Sequence, residues 1–295
     1  MAKYTFKEFQ AEYPNDEACL AKLMEVNYGG TEITCPGCGT DTTFHLMNTR
    51  KAYACQDCGH HIYPCAGTIF HKSRTNLTKW FFAMYLMTST RHGVAAKELE
   101  RQLGVTYKCA WRMAHEFRKL MSSANHGGAL SGHVEVDETW VGGASRKGGK
   151  GQGKRRSKKM IVMGMVERDG MIVAGTVPDD SKWTLEPIIL ENVKPGSAVT
   201  TDGHLAYGDL GKTYQHTAIN HAAGEYVRGI HHTNTIEGHW SQLKRSIKGT
   251  HVHISAKHAW KYIGEFNYRR NYRASHYGMF IRLVSAFALP RLQET

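Results

Sequence analysis

The spacing of apolar positions changes along the chain, and in its second half the spacing is that of β-strands. Over residues 133–141 Val134 and Val136 share one side of the predicted strand, whereas Glu135 and Asp137 share the other. Two further apolar runs, 160–167 and 171–177, are joined by an Arg-Asp-Gly sequence that is typical of a hairpin turn. The pattern therefore predicts three antiparallel strands in a row.

The pattern after this hairpin predicts helices alternating with strands. A helix over 184–192 is followed by a buried strand over 198–201 that ends at Asp202, by a strand over 216–219, and by a long helix that begins near Thr235. Three strands, a helix, a strand, a short helix, a strand and a helix is the order of a ribonuclease-H-like α/β domain with a mixed sheet. The first and fourth strands are neighbours in that sheet, so the aspartates that they carry are expected to meet.

Residues 71–124 change to the helical period and predict a helix-turn-helix-like DNA-binding region. Apolar residues repeat at every fourth position up to Leu103, Gly104 then ends the helix, and Thr106 can cap the next one. The second helix is expected to expose an aromatic and basic face that consists of Tyr107, Lys108, Trp111, Arg112 and His115. Such a helix suits a major groove, yet a plain helical hairpin fits the same pattern.

Four of the seven cysteines form two pairs with the spacing of a zinc site. Cys35 and Cys38 are separated by two residues, as are Cys55 and Cys58, and sixteen residues lie between the pairs. The spacing predicts a zinc ribbon over 31–64, after an N-terminal helical segment over 1–30. Because protein would fill all four positions, the ion is expected to be structural. Reduced cysteines in loops or a redox pair fit the pattern less well, and the ribbon is free either to touch DNA or only to hold its neighbours.

The overall charge favours a polyanionic partner. Lysine and arginine outnumber aspartate and glutamate by 38 to 26, which gives a net charge of +12, and nucleic acid is the commonest partner for such a balance. A basic protein without a nucleic-acid role would fit the charge alone. The first ten residues lack the apolar core of a signal peptide, and no apolar run is long enough to cross a bilayer. An intracellular protein without a membrane partner is expected.

Residues 144–159 carry eight basic residues, four glycines and no acid. Such a segment cannot form a core, so it predicts a loop between the first two strands that follows DNA phosphates without reading bases. A solvated loop with no DNA contact is the alternative. The basic side chains expected to contact DNA are Lys154, Arg155, Arg156, Lys158 and Lys159.

Three acids are candidates for a metal-dependent phosphoryl-transfer site. Asp137 and Asp202 lie on strands that are expected to be neighbours, and the late helix could bring Glu237 to the same end. Three carboxylates in one place can hold two Mg²⁺ ions about 3.5 to 4 Å apart. Lys244, seven residues after Glu237 on the same helix face, could hold a phosphate, with Arg245 beside it. Taken singly, an Asp-Gly turn explains the second aspartate and a capping box beginning at Asn234 explains the glutamate.

The chain resembles the DDE insertion-sequence transposases that carry an N-terminal zinc ribbon and are related to the Merlin transposons. The resemblance covers nearly the whole chain and rests on a combination of motifs, which are the two cysteine pairs, Val136-Asp-Glu-Thr139 with Gly142-Gly143, Thr201-Asp-Gly203, His232-Thr-Asn-Thr-Ile-Glu-Gly-His-Trp240, Leu243-Lys-Arg245 and Tyr262-Ile-Gly-Glu-Phe-Asn-Tyr-Arg-Arg-Asn271.

The resemblance implies a ribonuclease-H-like transposase domain over 131–290 that binds the ends of an insertion sequence, cleaves DNA and joins the 3′ ends to target DNA. It implies Asp137, Asp202 and Glu237 as the acidic triad for two Mg²⁺ or Mn²⁺ ions. Parts of the wider family have Asn at the third position, and Asn234 lies one turn before the glutamate. The resemblance further implies a homo-oligomer assembled on double-stranded DNA, in the cytoplasm of a bacterium and associated with its nucleoid.

Two other functions share these features. A non-catalytic DNA-binding regulator would need only the zinc ribbon, the helix-turn-helix and the basic loop, and its three acids could lie apart. A hydrolytic nuclease would share the acids but would release the cut DNA without joining it. The residues alone do not separate cutting from joining.

Overall fold

The structure is a computed structural model that describes residues 4–125, 128–142 and 159–288. The chain forms two compact units, of which the first combines Met1–Ala124 with Ala274–Thr295 and the second is Asn125–Arg273. None of the helices among these residues combines the length and apolarity that crossing a membrane would require.

The first unit begins with two short helices, α1 (Phe6–Glu12) and α2 (Asp16–Tyr28). Thr5 and Glu8 form a capping box at the start of α1, and the Asn15 side chain accepts a hydrogen bond from the first turn of α2. Gly29, at a φ of +83°, ends α2 in the left-handed conformation that favours glycine. Helices thus precede the cysteine pairs.

A small antiparallel sheet carries the cysteines. Its strands are β1 (Glu32–Thr34), β2 (Asp41–Leu46), β3 (Tyr53–Cys55) and β4 (His61–Ile62), and they pair in the order β1-β2-β3-β4. The turn after β1 and the turn after β3 each hold cysteines, so the β2–β3 pairing brings the two cysteine pairs to one end. This arrangement confirms the predicted zinc-ribbon-like fold.

Three helices follow the ribbon, namely α3 (Leu77–Ser89), α4 (Ala96–Leu103) and α5 (Tyr107–Ser123). Gly104 ends α4 with a φ of +58°, and the Thr106 hydroxyl accepts a hydrogen bond from the Cys109 amide to cap α5. The helix–turn–helix arrangement is as predicted. The prediction for His115 was wrong, because this side chain is buried and its ring stacks on Trp111 with the centroids 3.8 Å apart.

The last helix, α9 (His276–Ser285), belongs to the first unit. Phe280 is fully buried, with ring contacts to Tyr4, Phe9 and Tyr13 as well as to Phe81 of α3. The predicted boundary at residue 290 therefore differs from the structural one at 273, because aromatic packing joins distant parts of the sequence.

Replacing Phe280 with alanine is expected to destabilise the first unit by about 3 to 5 kcal/mol, since it empties the centre of this aromatic cluster. Urea unfolding followed by circular dichroism measures the change. His276→Ala is the matched control, because His276 lies on the same helix but is exposed. An equal decrease in the free energy of unfolding in both variants would contradict the conclusion that the aromatic cluster around Phe280 stabilises the first unit.

The second unit is built on a mixed sheet. Among the described residues its strands are β5 (His133–Val141), β6 (Met160–Glu167), β7 (Ile172–Val177), β8 (Ala198–Asp202) and β9 (Gln215–Ile219), in the order β7-β6-β5-β8-β9. The first three strands are antiparallel, whereas β8 runs parallel to both β5 and β9. This topology confirms the predicted ribonuclease-H-like fold and places β5 at the centre.

Helices cover both faces of this sheet. On one face, α6 (Lys182–Asn192) packs through Leu185 and Ile189 into the core cluster that contains Val134 and Val136 of β5. On the other face, α7 (Asn234–Ser246) packs with α8 (Ala259–Asn271), and Ile236, Trp240 and Leu243 form the buried stripe of α7. The residues of β5 that point to this second face, Glu135 and Asp137 among them, therefore lie beneath α7.

Candidate active site and zinc centre

Asp137 and Asp202 lie on adjacent parallel strands. The paired positions of β5 and β8 run from His133 and Ala198 to Glu135 and Thr200, and each aspartate lies two residues beyond the last of these pairs. The negative charge of Asp202 raises the pKa of the Asp137 carboxyl, so the two aspartates lie close enough to interact electrostatically. Asp202 ends its strand, and its Oδ1 accepts a hydrogen bond from the His204 amide. Both aspartates are half-buried, which leaves the pair accessible at the end of β8.

The environment of Asp137 disfavours its charged form. Burial raises the pKa of this carboxyl to about 7, and the nearby negative charges of Glu138 and Asp202 add to the increase. The Trp240 indole N–H, which donates to Oδ2 at 2.9 Å, acts in the opposite direction. A carboxylate held beside other acids in this way is stabilised by a cation, so the charge distribution suits a metal ligand.

The raised pKa of Asp137 predicts a distinctive pH dependence of stability. Between the ordinary carboxyl pKa and about 7 the folded state binds more protons at this site than the unfolded state does. The contribution of this carboxyl to stability is therefore lost as the pH rises through that window. Asp137→Asn removes this titration. The melting temperature of the variant, relative to that of the wild type, should therefore increase as the pH rises from about 4 to about 8.

Thermal melts across this pH range measure the difference in melting temperature between the variant and the wild type. Added Mg²⁺ is expected to reduce that difference, because a cation stabilises the charged carboxylate of the wild type. A difference that does not change with pH would contradict the electrostatic description of the site.

Helix α7 lies directly over Asp137. The Trp240 hydrogen bond joins the second turn of the helix to β5, and Gly164, which pairs with Asp137 across β5 and β6, makes room for the indole. A Cβ atom at Gly164 would lie 2.6 Å from the Trp240 ring, which shows that any side chain there would push the helix away. The close approach fixes α7 above the aspartates.

The other candidates on α7 face solvent. Glu237 lies in the first turn, its side chain is 50% exposed, and its Oε1 accepts a hydrogen bond from the Thr233 hydroxyl at 2.8 Å and lies 3.5 Å from His221 Nε2. Asn234 and Lys244 are also exposed, at the first residue and in the last turn of the helix. Seven residues of helix separate Glu237 from Lys244 by about 10 Å. Both lie on the helix that covers Asp137.

The three acids do not form a closed metal-ligand cluster in this structure. Within the described residues, a set of at least three His, Cys, Asp or Glu ligand atoms all within 4.8 Å of one another occurs at the four cysteines and not at Asp137, Asp202 and Glu237. The structure thus places Asp137 and Asp202 on neighbouring strands, where their charges interact, and Glu237 on the helix that covers Asp137.

Two further acids of β5 were not recognised as functional from the sequence. Glu135 is buried under the start of α7, where it accepts hydrogen bonds from the amides of Thr235 and Ile236. Glu138 lies on the opposite face, where it accepts a hydrogen bond from the Tyr207 hydroxyl in the segment after Asp202. In the sequence each of them is an acid in an otherwise apolar strand. That signal does not identify their hydrogen-bond partners, which are distant along the chain.

The four cysteine sulfurs lie within 4.8 Å of one another and form a donor set that could bind a zinc ion. The Sγ atoms of Cys35 and Cys58 are 3.7 Å apart, and those of Cys38 and Cys55 are 3.9 Å apart. Four sulfurs at the usual Zn–S distance define a tetrahedron with edges of about 3.8 Å, so the spacing fits. The Gly37 amide donates to Cys35 Sγ, and a hydrogen bond from the Thr40 side chain is the main cause that lowers the pKa of Cys38 to about 6.

Most of the candidate DNA-contacting residues that the structure describes are exposed. Lys108, Trp111 and Arg112 lie on the outer face of α5, with Arg112 placed 5.6 Å from the centre of the Trp80 ring. Lys159 and Arg245 are exposed in the second unit. The remaining basic-loop candidates lie outside the described residues, and these are Lys154, Arg155, Arg156 and Lys158.

Two family models match the chain, one over the candidate active site and one over the four cysteines. Residues 129–271 match the ISXO2-like transposase domain, and residues 14–61 match the transposase zinc-ribbon domain. The first match contains both aspartates, Glu237 and Lys244, and the second contains all four cysteines. Together the two matches cover about two thirds of the chain.

The chain is also similar to two curated proteins. An uncharacterized protein in transposable element ISH50 of Halobacterium salinarum is 28% identical over 258 residues, which is 81% of this chain and 85% of that protein. An uncharacterized transposase-like protein of Haemophilus influenzae is 33% identical over 96 residues, or 32% of this chain and 76% of that protein. Among solved structures, the chain is similar to a crystal structure of a pre-cleavage Mos1 transpososome. The similarity covers 72% of this chain and 80% of the Mos1 chain at 12% sequence identity, and its TM-score of 0.26 supports no conclusion.

Proposed function

Because this chain belongs to the insertion-sequence transposases in which a zinc ribbon precedes an ISXO2-like transposase domain, we propose that it cleaves DNA at the ends of its element and joins the 3′ ends to target DNA. The reaction is a pair of phosphoryl transfers. In the first a water oxygen attacks the phosphodiester at an element end and releases a 3′ hydroxyl. In the second that hydroxyl attacks a target phosphodiester, which forms a new phosphodiester to the target 5′ phosphate, breaks the bond from that phosphorus to the target 3′ oxygen and releases a target 3′ hydroxyl.

The observation that carries this proposal is the position of Asp137 and Asp202 on adjacent parallel strands, with the charge of Asp202 acting on the Asp137 carboxyl beneath α7. Both carboxylates are half-buried and reachable from solvent, and they offer the oxygen donors that hard divalent cations prefer. Trp240 holds one oxygen of Asp137 and thereby fixes the direction of the other. A regulator without catalytic activity would not require this arrangement.

These carboxylates fit a pair of Mg²⁺ or Mn²⁺ ions, which would supply charge neutralisation of the attacking and leaving oxygens. Asp137 and Asp202 would hold the ions from the sheet, and a residue of α7 would supply a third ligand. Glu237 supplies a charged carboxylate and Asn234 a neutral amide oxygen, and both are exposed on the first turn of that helix. Comparing Glu237→Gln with Asn234→Ala in cleavage assays separates these two candidates.

The same helix orients the DNA. Lys244 lies two turns beyond Glu237 and is exposed, so its ammonium group can hold a DNA phosphate beside the metal-bound one. On the first unit, the exposed first turns of α5 present Lys108, Trp111 and Arg112 to the element end, as a recognition helix does in a major groove. Lys159, Arg245 and the basic segment before β6 add phosphate contacts whose strength decreases with salt.

A strand-transfer assay tests the proposal. The zinc-loaded protein is incubated with Mg²⁺, a duplex carrying the native element end and a supercoiled target plasmid, and the products are separated by size. We expect element ends that are covalently joined to the plasmid. Cut ends without joining would instead identify a hydrolytic nuclease, and DNA binding without cutting would identify a regulator.

A further inference from the structure

Glu135 is the most completely buried acid of the central strand. Its side chain is 1% exposed, yet its carboxylate is surrounded by donors. The Thr235 amide and hydroxyl each donate at 2.8 Å and the Ile236 amide donates at 3.1 Å. A buried carboxylate is tolerated only when it is compensated in this way.

An arginine and a histidine complete the environment of Glu135. Arg168 donates to Oε1 from 3.2 Å, and His232 Nδ1 lies at the same distance from that oxygen. Arg168 also donates to the Ile230 carbonyl at 2.7 Å, so it joins the hairpin between β6 and β7 to the segment that enters α7. The carboxylate therefore connects three parts of the chain that are far apart in sequence.

The position of these contacts is more informative than their number. Thr235 and Ile236 are the residues that precede Glu237, and their amides are among those that a helix cannot satisfy from its own carbonyls. The negative charge also lies at the helix end that favours it. Glu135 and Asp137 are two residues apart on β5 and point to the same face, so a single strand holds the candidate metal ligand and fixes the start of the helix above it.

We infer that Glu135 is a positioning residue, which clamps the first turn of α7 over Asp137 and thereby sets the distance between the aspartates and the third ligand. The effect of that distance on metal binding rests on the proposed function. The contacts by which Glu135 holds the first turn of α7 do not depend on it. Groups that orient metal ligands from outside are typically worth 10- to 100-fold in metal affinity.

The test compares Glu135→Gln with a matched control, Glu265→Gln. Glu265 is another buried carboxylate of the second unit, and it forms an ion pair with Arg269 within α8. Thr235→Val is a milder variant, because it removes only the hydroxyl donor to Glu135. Hydrogen exchange of the amides at 235 and 236 and calorimetric titration of the zinc-loaded protein with Mn²⁺ are measured for each protein.

In Glu135→Gln we expect the two amides to exchange faster, and Mn²⁺ affinity to decrease, each on the order of tenfold or more. Thr235→Val should show smaller changes in the same direction, and Glu265→Gln neither change. Unaltered exchange and affinity in Glu135→Gln, or equal changes in Glu265→Gln, would overturn the inference. If Asp137→Asn bound Mn²⁺ with the same affinity as the wild type, the proposed function would be overturned. The exchange rates of the amides at 235 and 236 would still show whether Glu135 holds the first turn of α7.

Discussion

Replacing Asp137 or Asp202 with asparagine is expected to abolish DNA cleavage while DNA binding remains largely intact. Each change removes one of the two carboxylates proposed to hold the metal ions and keeps the size and shape of the side chain. Loss of a metal ion from the transition state costs several kcal/mol, which corresponds to a rate decrease on the order of a thousandfold or more. Cleavage of a labelled element-end duplex and a gel-shift assay measure the two properties separately.

The control for this prediction is Asp169→Asn. Asp169 is an exposed acid in the turn between β6 and β7, with a φ of +61°, and asparagine is well tolerated in that conformation. The control should cleave as the wild type does. If Asp137→Asn and Asp202→Asn lost DNA binding and cleavage to the same extent, the proposed separation of binding from catalysis would be wrong.

Cys38→Ser is expected to release zinc and unfold the ribbon. A serine oxygen cannot replace the thiolate in the four-sulfur donor set, and zinc binding contributes on the order of 10 kcal/mol to the folding of such small domains. Zinc content by elemental analysis should decrease from one ion per chain to nearly none, and protease sensitivity over residues 31–64 should rise.

Cys109→Ser provides the comparison, since Cys109 lies on α5, where its sulfur contacts the Thr75 hydroxyl and takes no part in the cluster. Its zinc content is expected to match that of the wild type. Unchanged zinc in Cys38→Ser would refute the assignment of the cysteine pairs as a metal centre.

The sheet of the second unit was predictable because its strands have clear local signals. The alternation in β5 and the Arg-Asp-Gly turn fixed the strand limits closely, so β5 and β6 have the predicted bounds and β7 begins one residue later than predicted. The sheet order follows from the sequence of elements, because parallel crossovers permit few topologies. The cysteine cluster was predictable for a similar reason, since its ligand spacing is a local feature.

Features that depend on contacts between distant residues were not predictable. The clamp on α7 needs Glu135 to meet residues a hundred positions away, and no local pattern distinguishes it from a second metal ligand. The same holds for α9, whose apolar face predicts burial but does not specify the aromatic cluster around Phe280 as its partner. His115 was expected to face solvent because the helical period places it near the outer face, whereas stacking on Trp111 buries it.

The most direct test of the central claim is the location of divalent ions in crystals of the protein bound to its element-end DNA and soaked with Mn²⁺. Anomalous scattering should show manganese coordinated by carboxylate oxygens of both Asp137 and Asp202, with a further ligand from the first turn of α7. Manganese bound elsewhere, with both aspartates uncoordinated beside the scissile phosphate, would contradict the account.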